Sequence, residues 1–185
     1  MPYRKFLCKR VALIGTPDYG LENCPPGHYR SAIVVRADET RQTLEAFDDA
    51  VFAYSDENSQ SGYAAAYWHV KPRRPWFENR LLTGQHIGSA RAVAEGRADL
   101  ASIDAVSWRL MCHYEPWTSS LRVLDWTASS PGLPYISRIG IDGRAMFKGI
   151  NLAIADLSHD DRSRLGIRQL VRIPEPDYLA IPNPP

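Results

Sequence analysis

The chain has 185 residues, of which 44% are apolar and 23% charged, with a formal net charge of +1. That length holds one good core or two small lobes, at roughly 100–200 residues per domain. The near-neutral balance argues against a nucleic-acid surface, and no apolar run approaches the roughly 20 residues that cross a membrane.

Residues Met1 to Arg10 carry positive charge but no long apolar stretch, so they do not read as a secretory signal. Val11-Ala12-Leu13-Ile14-Gly15 reads as a buried strand, followed by a Gly- and Pro-rich loop from Thr16 to His28. Tyr29 to Arg36 is the strongest strand prediction, because β-branched residues cluster in it. Thr43 to Phe47 reads as a short helix. Three strand-to-helix units follow. Val51 to Tyr54 is a short apolar run, and Ala64 to Trp68 reads as a helix. Arg80 to Thr83 is a strand, then Gly84-Gln85-His86 leads into a helix with Ile87, Ala90, Val93 and Ala94 on one face. Leu100 to Ile103 is a strand, and Asp104 opens a helix carrying Val106, Leu110 and Met111.

The remaining elements are plainer. The basic run Lys71-Pro72-Arg73-Arg74-Pro75 reads as a solvated loop. Leu121 to Trp126 and Tyr135 to Ile139 read as strands, with a turn at Pro131-Gly132-Leu133-Pro134 between them. Asp142 to Leu157 is an amphipathic helix, with Met146, Phe147, Ile150, Ile154 and Leu157 on one stripe. The proline-rich tail from Pro174 is expected to be extended. Cys8, Cys24 and Cys112 are odd in number and lack metal spacing, so free thiols are expected, with one disulfide left open. Strands alternating with helices predict an α/β sheet.

The three junctions carry the functional signal. Ser59-Gln60-Ser61-Gly62-Tyr63 puts two hydroxyls and a glycine where a helix begins. The first amides of a helix lack an internal partner and sit at the positive end of its dipole, so they can receive an anion. A plain serine cap is the other reading. His86 and Asp104 stand at the next two junctions. In an open sheet of parallel strands all three would lie beyond the carboxyl ends of the strands, where ligands bind. Asp104 is either a helix cap or an acceptor for a ligand proton; His86 is either a loop residue or a donor. Ser59 or Ser61 with His86 and Asp104 can also be drawn as a hydrolase triad, but no Gly-x-Ser-x-Gly elbow supports it.

The ordered set of Tyr29 to Arg36, Phe52-Ala53-Tyr54, Ser59 to Tyr63, Thr83 to His86, Ala92 to Asp104, Trp108 and Pro131 to Tyr135 resembles the phosphonate/phosphite/phosphate-type solute-binding proteins of ABC importers. The likeness spans roughly residues 10 to 157. It implies a periplasmic-binding-protein type II fold: two α/β lobes joined by crossover strands, closing on a small phosphorus oxyanion without catalysis or cofactor. It implies ligand contacts from Ser59, Ser61, Gly62 and its neighbouring amides, Thr83, His86 and Asp104, with Tyr54 near the ligand mouth.

On this resemblance residues 1–36 form part of the first lobe and a crossover strand, and 37–120 a complete second lobe. Residues 121–173 return to the first lobe, and 174–185 are a tail. Family members begin with a further strand–helix–strand, so the first lobe is expected to be incomplete. That would leave an edge strand near Val11 to Gly15 and an uncovered apolar face, and favour a homodimer. The implied partner is an ABC permease, and the implied location the periplasm, or the cytoplasm if these residues are the whole chain. The other readings are a sensory or relic binding lobe acting through dimerisation and, behind it, a Ser/His/Asp hydrolase.

Overall fold

A computed structural model describes residues 2–185. In chain order its strands are β1 (Ala12–Asp18), β2 (His28–Tyr29), β3 (Ser31–Arg36), β4 (Phe52–Tyr54), β5 (Arg80–Leu82), β6 (Leu100–Asp104), β7 (Leu121–Trp126), β8 (Ser130–Pro131), β9 (Tyr135–Ser137) and β10 (Gln169–Val171). Its α-helices are α1 (Ala65–Val70), α2 (His86–Ala94), α3 (Ala105–Tyr114), α4 (Gly143–Ala155), α5 (His159–Leu165) and α6 (Glu175–Leu179). The chain divides into two compact units. One holds Arg30–Ala128 and Asn183–Pro185; the other holds Pro2–Tyr29 and Ser129–Pro182.

The first unit is built on a five-stranded sheet in the order β5-β4-β6-β3-β7. β4, β5 and β6 run parallel, whereas β3 pairs antiparallel with both β6 and β7. The sheet is thus mixed rather than all parallel, although the three strands that feed the polar junctions share one direction. Both faces are covered, which is why β3 reads as a nearly continuous apolar run. Ala32 and Val34 join Ala53, Ala101 and Ile103 against Ala90 and Val93 of α2. Ile33 and Val35 join Phe52, Tyr54 and Leu100 against Ala66 and Val70 of α1. Trp108, Trp117 and Trp126 pack on the first of these clusters.

The loop at Lys71 to Pro75 is solvated as its composition predicts, exposed at every residue but Arg74. The Arg74 guanidinium lies over the Phe77 ring, 4.5 Å from its centre, and donates to the Phe47 carbonyl. On the neighbouring edge Glu39 grips Arg41 through two side-chain bonds of 2.7 and 2.9 Å. That pairing holds the Glu39 carboxyl at about 2, well below the usual carboxylate range.

The second unit has a three-stranded sheet in the order β10-β1-β9 and a short β2–β8 pair. Here an expectation is overturned. The strand at Val11 to Gly15 is no bare edge: Ala12 to Gly15 pair with β9, and the strand runs on to Asp18 to pair with β10. Its apolar face is covered as well. Ile14 packs with Ile154, Ile167 and Leu170, and Met146, Phe147, Ile150 and Leu157 close around them. All five stripe residues therefore face this core, four of them on α4 and Leu157 just beyond its end.

The tail also departs from its expected extended form. Pro174 starts α6, where a missing N–H costs nothing. Tyr178 is buried and its hydroxyl bonds Thr16, while Tyr3 donates to Glu175 at 2.6 Å. All three cysteines are free thiols. Among the described residues no helix is long and apolar enough to cross a membrane.

Candidate functional site

Because β4, β5 and β6 are parallel, their carboxyl ends open on one edge of the first unit's sheet. The chain leaves β4 and turns into a helical segment that starts as a wide turn over Gln60–Ala64 and continues as α1. Ser59 is the cap. Its Oγ accepts from the Gly62 amide at 2.9 Å. Glycine is required next to this cap by space: a Cβ on Gly62 would stand 2.3 Å from Ser55 Oγ and 3.3 Å from His86 Cε1.

Ser61 is buried at the start of this segment and faces α2. Its Oγ lies 3.0 Å from His86 Nε2. Its carbonyl accepts from Ser102 Oγ at 2.6 Å, which ties the helix start to β6. Burial pushes the His86 imidazole below the usual histidine value, while the Asp104 carboxylate and the Ser102 backbone push it the other way. His86 Nδ1 is buried and has no hydrogen-bond partner.

Asp104 closes β6 and caps α3, with Oδ1 accepting from the Ser107 amide at 2.9 Å. Both readings of this residue are thus compatible. One carboxylate oxygen serves the helix, and the carboxylate as a whole acts on His86. The structure brings Ser59, Ser61, Gly62, His86 and Asp104 to one edge.

Thr83 and Tyr54 are placed differently. The Thr83 hydroxyl is engaged by the Tyr54 and Gln85 carbonyls and by Ser89 Oγ at 2.6 Å, so it ties the β5–α2 junction together. Tyr54 is buried against Tyr63, and burial with Glu57 nearby raises its phenol.

Two serines were not singled out by sequence. Ser102 lies inside a short apolar run and looked like filler; alternation along β6 places it on the same face as Asp104. Ser31 sits at the start of the strongest strand, directly opposite Asp104 in the β3–β6 register. It is 1% exposed and its Oγ has no partner. The signal that could have found both is a hydroxyl at an apolar-face position of a strand, since buried polar groups are normally paired.

Hydroxyls, amides and an imidazole at a strand edge suit a small oxyanion. They do not form an activated nucleophile: Asp104 is spent in part on a helix cap, and the His86 nitrogen away from Ser61 bonds no carboxylate. Among the described residues no cluster of three or more His, Cys, Asp or Glu is placed to hold a metal ion. A separate hollow of about 480 Å³ lies in the second unit beside β1, lined by Leu13, Ile14, Arg172, Ile173 and Tyr178 among others. It is mostly apolar, and its phenol is already bonded to Thr16.

Residues 11–173 match the family described as ABC transporter, phosphonate, periplasmic substrate-binding protein. No curated protein sequence matches the chain. Among solved structures, PhnD1 of Prochlorococcus marinus in complex with methylphosphonate superposes with a TM-score of 0.73 at 16% identity, covering 91% of this chain and 68% of that one. The binding-protein component of an ABC phosphonate transporter from Pseudomonas aeruginosa gives 0.69 at 20% identity, covering 93% and 59%. A Xanthomonas citri protein bound to chloride gives 0.66 at 15% identity, covering 91% and 66%. The chain thus spans between 59% and 68% of the length of these three structures. Their fold is that of this chain: a mixed α/β periplasmic binding protein. With 163 consecutive positions matched, the chain belongs to this phosphonate-binding family, whose members are periplasmic substrate-binding proteins of ABC transporters and not enzymes.

Proposed function

We propose that this member of the family binds a small phosphorus oxyanion, a phosphonate, phosphite or hydrogen phosphate, as the solute-binding component of an ABC importer. The observation that carries the reading is the pair of Ser61 Oγ and His86 Nε2 at 3.0 Å, with the Asp104 carboxylate acting on the same imidazole. Serine hydroxyls and helix-start amides donate to anionic oxygens without adding a full charge. Asp104 repels an anion unless that anion brings a hydrogen. A P–OH group does, and fully ionised sulfate does not, so the carboxylate selects by leaving sulfate with nothing to donate.

In this reading Ser59, Ser61, Gly62, His86 and Asp104 hold the ligand, and Tyr54 and Thr83 shape the edge around it. The unit of Arg30–Ala128 is the ligand-carrying lobe, and Pro2–Tyr29 with Ser129–Pro182 belong to the other. The partner is an ABC permease, and the working compartment is the periplasm. Calorimetry with methylphosphonate, phosphite, phosphate and sulfate tests the proposal. The three phosphorus anions are expected to bind at least about tenfold more tightly than sulfate, the worth of one good hydrogen bond. Equal affinity for sulfate, or no binding of any of the four, would remove it.

A further inference from the structure

We propose that Ser31 is a further ligand-binding residue of this site, its hydroxyl donating to a ligand oxygen beside Asp104; the inference rests on the oxyanion reading above. Ser31 and Asp104 are direct partners across the β3–β6 ladder. Residues opposite each other on neighbouring strands project to the same face, with Cβ atoms about 4.5–5.5 Å apart. That face is fixed by two observations. Ser102, two residues before Asp104, reaches the Ser61 carbonyl from it. Ile33, two residues after Ser31, packs there with Ala66 and Val70 of α1. Ser31 therefore looks onto the same side of the sheet as the Ser59–Gly62 segment.

The main chain of Ser31 is fully employed: its amide donates to Thr127 Oγ1 at 2.9 Å and its carbonyl accepts from the Thr127 amide at 3.0 Å. Its hydroxyl is 1% exposed and unpaired. A buried donor with no partner is unfavourable, and an alanine would fill nearly the same volume without that cost. The second unpaired buried atom of this edge is His86 Nδ1, on a ring that feels the Asp104 charge. An unpaired hydroxyl thus stands directly across the ladder from the carboxylate. A neutral donor next to a carboxylate acceptor complements a half-protonated oxyanion: Ser31 O–H meets P–O⁻, and Asp104 meets P–OH. The hydroxyl strengthens binding of any tetrahedral anion, whereas Asp104 decides between them.

The test uses the whole chain with methylphosphonate, phosphate and sulfate as probes. Ser31→Ala and the near-isosteric Ser31→Cys, whose thiol is a weak donor, are compared with wild type by calorimetry and by melting without ligand. Both variants are expected to melt at or above the wild-type temperature in the absence of ligand. Both should lose about tenfold or more in affinity for methylphosphonate and phosphate, with the preference between the anions unchanged. If Ser31→Ala does not fold, the Cys variant carries the comparison. Wild-type affinity in the variants overturns the proposal. So does a marked drop in the ligand-free melting temperature of the Cys variant, which would mean that the hydroxyl has its partner within the protein. If wild type itself binds none of the three anions, the oxyanion reading has failed and this inference falls with it, a result that is read before any variant is made.

Discussion

Ser61 Oγ and His86 Nε2 stand 3.0 Å apart, although the residues are 25 positions apart and lie in different strand-to-helix units. The contact exists because β4 and β5 are parallel neighbours, so the segments that leave them emerge side by side. Asp104 joins them from β6, on the other flank of β4. The consequences of this arrangement can be measured one residue at a time.

Asp104→Asn isolates the carboxylate. Asparagine caps a helix about as well as aspartate, so the bond from Ser107 survives and stability should move by only a few tenths of a kcal/mol. The amide can donate to sulfate where the carboxylate cannot. Sulfate binding is expected to rise relative to methylphosphonate, narrowing the gap between them by about tenfold, or roughly 1.4 kcal/mol. Calorimetry that finds both anions weakened by the same factor would place Asp104 in a purely structural role.

His86 gives the site a pH dependence. Burial lowers its folded-state pKa below the ordinary histidine value of about 6.5. Between that lowered value and 6.5 the unfolded chain binds the extra proton and the folded one does not, so stability rises with pH across this window. It is fully present above about 6.5 and is lost as pH falls toward the folded-state value. The melting temperature of His86→Gln should be flatter than that of wild type on the acid side of neutrality. An oxyanion next to the ring favours the protonated form, so its binding should take up a proton below pH 7. Calorimetry in two buffers of different ionisation enthalpy reads that uptake directly, and identical heats in both would contradict it.

Much of the edge was legible from sequence because its logic is local. A polar residue after a short apolar run marks a strand end, and Ser59, His86 and Asp104 all sit at such points. What was not legible depends on pairing between distant segments. The partnership of Ser31 with Asp104 needs the antiparallel return of β3 beside β6, which no local pattern encodes. The β1 strand reads as an edge when the absent family segment is taken as its neighbour, yet two distant three-residue strands, β9 and β10, pair with it instead. Thr83 looked like part of the site by its place in the motif, yet its hydroxyl is engaged by main-chain carbonyls and Ser89.

Gly62 is a space requirement. The Cβ of an alanine there would stand 2.3 Å from Ser55 Oγ, closer than such atoms approach, and a tight 3.1 Å from Ser59 Oγ. Ser55 is buried, so its hydroxyl has little room to turn away and the Gln60–Ala64 turn itself has to shift. Gly62→Ala is expected to cost about 1–3 kcal/mol by overpacking, and Ser59→Ala about 1 kcal/mol from the lost cap bond; both are expected to weaken oxyanion binding. Urea unfolding and calorimetry on the two variants give both numbers. A Gly62→Ala protein as stable as wild type would show that the turn yields freely.

The tail supplies the last test, because its role is opposite to the one its composition suggests. Five of the final twelve residues are proline, which favours an extended, loosely held chain. Proline is nevertheless tolerated in the first turn of a helix, and Pro174 and Pro176 stand where α6 begins. The turn then carries Tyr178 inward, where its ring meets Tyr3 edge-on at 5.7 Å and its hydroxyl bonds Thr16 in the middle of β1. Thr16 is fully buried, so removing the phenol oxygen leaves its hydroxyl without that partner. Tyr178→Phe keeps the ring and deletes only the bond; it should cost about 1–3 kcal/mol, the penalty for an unsatisfied buried group. The double variant Tyr178→Phe with Thr16→Val removes both polar partners and should recover much of the loss. Urea unfolding of the single and double variants decides the matter. Additive losses would mean that the two hydroxyls act independently, and an unchanged Tyr178→Phe would mean that the tail does not pin β1.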